Sequence, residues 1–198
     1  YCLEKGASIH DCDDNQASCA HYAARGGQLH ILEFMMPKGA ALGARDGNGR
    51  TVAHWAVLGG HLPVLKWLQG ESMDLNATDS DRMTPISHAA SLGHMEIVRF
   101  LIDEAEVDPK TVSLWPRDTT LSHLVALHGD LEMIKWLDQH KVSLDKDDDR
   151  DFRVSHYACI TNQLDILKWL HANRKSDFTN RTSYEQSMMH LACSTGNM

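Results

Sequence analysis

Histidine is the residue type that most suggests chemistry in this chain, because five copies recur about 33 residues apart or, once, about twice that distance apart. The copies are His21, His54, His123, His156 and His190. Two of them are followed one helical turn later by a cysteine, Cys159 or Cys193. Imidazole and thiolate are ligands that zinc prefers. In the other repeats this slot holds a small apolar residue, Ala24, Val57, Ala90 or Ala126, which indicates packing in a core, so we expect no metal.

An acidic run from Asp145 to Asp151 is the second candidate for chemistry. Its alternating carboxylates resemble a calcium loop, but an EF-hand needs glycine sixth and glutamate twelfth. Those places hold Arg150 and His156. We therefore expect a solvated acidic turn. Since the chain has no nucleophile, phosphate-loop or zinc-protease motif, we predict no catalytic residues and no cofactor.

The elements that would position these side chains come from an internal repeat of about 33 residues. Six segments align on one glycine slot, with spacings of 33, 33, 36, 33 and 34 residues. The slot holds Gly27, Gly60, Gly93, Gly129, Asn162 and Gly196. A fixed period of this kind predicts a stack of small units that bury their cores against one another.

The repeat resembles the ankyrin repeat family, whose pattern is roughly D-x-x-G-x-T-P-L-H-x-A-A-x-x-G-H-x-E-I-V. The best match runs from Asp79 to Leu101, with Thr84-Pro85-Ile86, Ala89-Ala90 and Gly93-His94. Departures include Ser87 in the histidine slot and Asn162 in the glycine slot. In this family the histidine is structural and bonds to backbone near the turn and the next repeat.

This resemblance implies an all-α fold, an ankyrin-repeat solenoid of stacked helix–turn–helix units with projecting β-turn or hairpin loops. We expect one domain over residues 1–198, from a longer protein. Residues 1–12 hold the end of one repeat, repeats cover about 13–45, 46–78, 79–114, 115–147 and 148–181, and 182–198 is a partial repeat.

Helix signals agree with this division. Thr51, Thr84 and Thr120 are predicted N-caps, since a hydroxyl can accept from free amides of the first turn. The second helix of each repeat has an aromatic slot, which we interpret as packing between successive helices rather than as a ladder for ligand stacking. That slot holds Phe34, Trp67, Phe100, Trp136 and Trp169.

Members of this family bind partners on a concave face, built from the turns and the ends of the first helices. Carried over by alignment, the predicted partner-binding residues are Arg50, Leu58, Met83, Leu92, Trp115, Arg117, Leu127, His128, Phe152, Ile160 and Tyr184. Exposed apolar patches, aromatic rings and arginine commonly form interaction sites. The alternative is that some of these residues pack against neighbouring turns or an adjoining domain.

Two features refine this prediction. Three extra residues fall within 103–119, and there Trp115 takes the slot that holds Asp13, Asp46, Asp79 and Asp148 in four other repeats. Insertions in a repeat map to loops, often on the binding face. Separately, Leu68, Asp74 and Leu75 precede Asn76 with the spacing of the site that an asparaginyl hydroxylase modifies in ankyrin repeats. Asn76 is thus a candidate for hydroxylation.

The composition limits which classes of partner and which cellular compartments are consistent with the sequence. The formal net charge of −8 argues against nucleic acid, and no apolar run approaches the length of a membrane span. Five cysteines without a C-x-x-C motif predict free, buried thiols in a reducing, cytoplasmic setting. We therefore expect a scaffold or adaptor that binds a protein or peptide. The alternative is a regulatory or targeting stack serving other domains of its own chain, an enzyme or a channel.

Overall fold

A computed structural model describes residues 8–109, 113–114, 118–174 and 178–196. Consecutive α-helices in these ranges pair as helix–turn–helix units, which confirms the predicted all-α class. The helices are α1 (Cys19–Arg25), α2 (Leu29–Met35), α3 (Val52–Leu58), α4 (Leu62–Gly70), α5 (Pro85–Leu92), α6 (Met95–Asp103), α7 (Leu121–His128), α8 (Leu131–Gln139), α9 (Val154–Ile160), α10 (Leu164–Arg174) and α11 (Met188–Thr195). A 3-10 turn (Met36–Lys38) extends α2.

The chain forms two compact units, one up to Asp108 and one from Pro109 onward. In the first unit the inner helices α1, α3 and α5 pack in sequence, and each has an outer helix against it: α2, α4 or α6. In the second unit α9 packs against both α7 and α11, with α8 and α10 as outer helices. This unit also holds a short antiparallel hairpin of β1 (Ser113–Leu114) and β2 (Thr119–Thr120).

The inner helices begin where the sequence predicts, because Thr51, Thr84 and Thr120 are N-caps. The hydroxyl of Thr84 accepts from the backbone N–H of Ser87 at 3.3 Å. At Thr51 the histidine three residues later, His54, also reaches back, and its Nδ1 accepts from the Thr51 backbone N–H at 3.1 Å. A histidine in this slot therefore belongs to the helix start itself.

The inner helices end at a residue in the left-handed backbone region, as the glycine slot predicts. Gly93 has φ of 76° and Gly129 has φ of 78°. Asn162 takes the same slot with φ of 59°, which asparagine tolerates better than most residues with a side chain. The departure at Asn162 therefore leaves the turn between α9 and α10 intact.

The core lies between the inner and outer helices. The inner helices contribute small residues to it, and the outer helices contribute larger, branched residues. Ala56, Ala89 and Ala90 are fully buried, as are Leu65 and Leu101. Small side chains let helix backbones approach closely, so the larger side chains of the outer helices fill the remaining space.

The aromatic slot of the outer helices is not uniform. Packing is confirmed at Phe100, which is 3% exposed, while Trp67, Trp136 and Trp169 are half-buried. The prediction is wrong for Phe34, which is 52% exposed. No described helix covers its outer side, and the Lys38 ammonium lies 4.8 Å from its ring centre.

The cysteines also depart from expectation. Cys159 is buried and its thiol donates to the Met188 carbonyl at 3.3 Å. Cys12, Cys19 and Cys193 are exposed, so the prediction of buried thiols is wrong for these three, because no described residue covers them. No helix within the described ranges is both long enough and apolar enough to cross a membrane.

Candidate functional site

Four turns that precede inner helices share one hydrogen-bonding scheme, in which an aspartate closes the turn. These Asp turns are residues 13–17, 46–50, 79–83 and 148–152. In the second of them, Oδ1 of Asp46 accepts from the backbone N–H groups of Asn48 at 2.9 Å and Arg50 at 2.8 Å. The other three turns repeat this pair of bonds. Side-chain acceptors of this kind fix a turn without help from a partner.

The second oxygen of each aspartate ties the turn to its own inner helix. It accepts from the ring donor nine residues later, in four pairs: Asp13 with Tyr22 at 2.6 Å, Asp46 with Trp55 at 2.9 Å, Asp79 with His88 at 2.8 Å and Asp148 with Tyr157 at 2.8 Å. Each Asp turn is therefore held at two points, and the side chains it carries stand on a fixed base.

The sequence analysis missed these ring donors, although the repeats contain a signal for them. Where Trp115 and Thr182 replace the aspartate, the residue nine places later is leucine, at Leu124 and Leu191. The donor thus appears only in repeats that keep the acceptor. This correlation between two slots can be read from the aligned repeats without a structure.

Neighbouring turns are joined to each other by backbone hydrogen bonds. The Gly47 amide donates to the Asn15 carbonyl at 2.6 Å, and the Ser80 amide donates to the Asn48 carbonyl at 2.9 Å. In the second unit the Ser183 amide and hydroxyl both donate to the Arg150 carbonyl, at 3.0 and 3.1 Å. Within each unit the turns thus form a continuous edge.

Two of the recurring histidines, His21 and His54, connect their inner helices to the next repeat, as the resemblance implies. His54 is fully buried, and its Nε2 lies 3.1 Å from the Met83 carbonyl of the following turn. His21 reaches the Arg50 carbonyl in the same way at 3.2 Å. Burial lowers the pKa of His54 to about 4, and it also lowers the pKa of His21, His123 and His156. These imidazoles are structural and neutral near pH 7.

One cluster in the first unit brings together ligand atoms that a metal ion could use. It consists of His54, Asp79 and His88, whose donor atoms lie within 4.8 Å of one another. Both nitrogens of His54 already have partners, and both oxygens of Asp79 accept hydrogen bonds. The Arg50 guanidinium lies 3.5 Å from Asp79, and its charge opposes a cation there. We interpret the cluster as a network of hydrogen bonds that holds the 79–83 turn in position.

Family models match this chain over nearly all of its length. A model for ankyrin repeats in three copies matches residues 1–79, 20–113 and 60–148. A model for ankyrin repeats in many copies matches residues 155–198. The chain belongs to the ankyrin repeat family. No curated protein matches the sequence. Ankyrin repeats are generally protein–protein interaction modules and typically non-catalytic.

In the first ankyrin unit, four predicted partner-binding residues lie on the turns and inner helix ends. Leu92 is 47% exposed, while Leu58, Met83 and Arg50 are half-buried. Beside them the Tyr22 ring is 53% exposed and packs edge-on against Trp55, with centroids 5.1 Å apart. The sequence analysis did not single out Tyr22, whose hydroxyl donates to Asp13.

In the second ankyrin unit, the predicted residues are again accessible. Tyr184 is 62% exposed, Leu127 is 36% exposed and His128 is exposed. Phe152 and Ile160 are half-buried. The Phe152 ring lies 5.9 Å from Tyr157 and 5.6 Å from His156 between centroids, so it is held by packing rather than loose on the surface.

Two predicted residues, Trp115 and Arg117, lie outside the described residues. In the sequence they stand between β1 and β2. Asn76 is described and exposed, in the segment between α4 and the 79–83 turn. Its backbone N–H donates to the Asp74 carboxylate at 2.8 Å.

Proposed function

We propose that this chain is an interaction module that binds a segment of a partner protein along its turns and inner helix ends. The observation that carries the proposal is the exposure of apolar side chains on a rigid base. Leu92 in the first unit and Leu127 in the second are exposed at the ends of inner helices. Solvent exposure of such side chains has a cost that burial against a partner removes.

Rigidity of the turns supports the same function. When a partner binds a surface that is already rigid, little conformational entropy of that surface is lost. More of the contact energy therefore contributes to affinity. The doubly bonded aspartates Asp46, Asp79 and Asp148 supply that rigidity without contributing to the accessible surface, because all three are buried.

Charge substitutions at the two exposed leucines test the proposal. We expect Leu92→Glu and Leu127→Glu each to weaken capture of a cross-linked partner from native cell extract by about tenfold or more, as loss of an interface anchor does. Thermal unfolding should change little, since both side chains are exposed in the free chain.

Leu164→Glu provides the matched control, because Leu164 is 55% exposed at the start of outer helix α10. Equal capture by wild type and both inner-helix variants would overturn the proposal and favour a regulatory stack that contacts other domains of its own chain. A collapse of the unfolding temperature in either variant would mean that the leucine belongs to the core.

Asn76 carries a second, separable proposal: hydroxylation by an asparaginyl hydroxylase. Asn76 is exposed, but Leu68 and Leu75, which belong to the same sequence pattern, are buried. Modification therefore requires local opening of the segment after α4. We expect peptide mass spectrometry of the native protein to show the mass of one added oxygen at Asn76. An unmodified Asn76 in cells that modify other ankyrin repeats would contradict this.

A further inference from the structure

We infer that the second unit binds an extended partner segment in which basic and apolar side chains each recur at about every third residue. The inference rests on the proposed function and adds the chemistry of the partner. It concerns a surface that we call the acidic-apolar face, which consists of Leu127, Phe152, Ile160 and Tyr184 together with the outer residues of the two adjoining turns, 145–151 and 182–186.

The apolar part of this face favours burial. Tyr184 exposes 62% of its surface and Leu127 exposes 36%. Phe152 is half-buried and held by Tyr157, whose hydroxyl donates to Asp148 at 2.8 Å. Rigid aromatic rings give a large contact area at low entropic cost, so they act as anchors for a partner's apolar side chains.

The charge of the two turns indicates which other side chains the partner carries. Asp149, Asp151 and Glu185 are exposed on the two turns. The two arginines next to these turns are paired with acidic residues of the turns: Arg153 donates to Asp147 at 2.6 Å, and Arg181 lies 3.6 Å from Glu185. Lys146 and Arg150 are the remaining cations of the two turns. The balance is negative, so a basic segment is favoured over an acidic one.

The distance between neighbouring inner helices determines how far apart the contacting side chains of the partner lie. Leu127 and Ile160 occupy the same slot on the neighbouring helices α7 and α9, and packed helices lie about 8–10 Å apart. An extended segment in the polyproline II conformation has three residues per turn and advances about 3.1 Å per residue, so every third side chain lies on the same face of the segment. Every third residue of an extended segment therefore meets the equivalent position of the next repeat.

A direct test measures binding of a synthetic peptide to the whole chain by fluorescence anisotropy. The probe is a fluorescein-labelled peptide that repeats arginine, leucine and serine, so that each residue type recurs at every third place. A second probe has glutamate instead of arginine, and a third has serine instead of leucine. We expect the first probe to bind at least about tenfold more tightly than either of the others.

Variants of the chain locate the site. Asp149→Lys should weaken binding of the first probe about tenfold, while Asp165→Lys, the same charge change on outer helix α10, should not. Tyr184→Ser should weaken it similarly, and Leu164→Ser, on an equally exposed outer position, should not. Measuring the unfolding temperatures of all four variants checks that each is folded.

The outcomes separate this inference from the proposed function. Equal effects of Asp149→Lys and Asp165→Lys would show attraction to net charge alone and would overturn the inference. Preference for the acidic probe, or no dependence on Tyr184, would also overturn it. In each of these cases loss of partner capture by Leu92→Glu and Leu127→Glu could still hold, and the chain would then bind a partner of other chemistry.

Discussion

Lowering the pH from 7 to 5 is expected to reduce the free energy of unfolding of this protein by about 2 kcal/mol through His54 alone. Burial lowers the pKa of His54 to about 4 in the folded chain, against an ordinary value near 6.5 in the unfolded chain. Between these two values the unfolded state binds more protons, so stability falls as the pH falls. His88 and Arg45 favour the neutral imidazole, and Asp79 and the Met83 carbonyl oppose them.

Urea unfolding at several pH values measures this effect. The pKa of His21, His123 and His156 is lowered in the same direction, so the whole chain should lose stability more steeply than one histidine predicts. A His54→Ser variant isolates the contribution, because serine already fills the equivalent slot at Ser87. The variant should be less stable at pH 7 and show a shallower dependence on pH. Parallel pH curves for the two proteins would contradict the assignment.

The repeat period and the cap residues made most of the fold predictable. Thr51, Thr84 and Thr120 mark helix starts and the glycine slot marks helix ends, because both depend on local backbone chemistry that a short segment determines by itself. The role of His54 followed from the family resemblance for the same reason, since its partners lie within one repeat and the next turn.

The solvent exposure of individual side chains could not be predicted from single segments, because it depends on the residues that pack against them. Phe34 and Phe100 occupy one slot, yet one is exposed and the other buried, because exposure depends on what packs alongside. Accessibility of the predicted binding residues was anticipated in part: Leu92, Leu127 and Tyr184 are exposed, while Leu58, Met83 and Ile160 are half-buried. Their role in binding remains a prediction.

The link between each turn and its inner helix was missed because it joins slots nine residues apart. The sequence analysis placed the acidic run that contains Asp148 in a solvated turn, whereas Asp148 is buried, and it assigned no role to Asp46 or Asp79. A comparison of repeats shows that Asp46, Asp79 and Asp148 are each accompanied by a ring donor, whereas Trp115 and Thr182 are accompanied by leucine. Internal repeats thus supply information that usually requires an alignment of relatives.

Asp79 is where this link has its greatest expected effect on stability. Its carboxylate is 1% exposed and accepts from the Asp81 and Met83 amides and from His88, with Arg50 3.5 Å away. Burial alone would raise the pKa of Asp79, but the hydrogen bonds from His88 and Met83 outweigh it and hold the pKa below the ordinary value. We expect Asp79→Ala to cost about 3–5 kcal/mol, because it leaves buried donors and a cation without their acceptor.

Denaturant unfolding of three variants tests this expectation. Asp81→Ala is the control two residues away, exposed on the same turn, and should change stability by less than about 0.5 kcal/mol. His88→Tyr should cost much less than Asp79→Ala, because a tyrosine hydroxyl already donates to the equivalent aspartate at Tyr157. If Asp79→Ala costs no more than Asp81→Ala, the turn is held by its backbone alone. A rigid base for the neighbouring Met83 and Arg50 would then have to come from the contacts between turns.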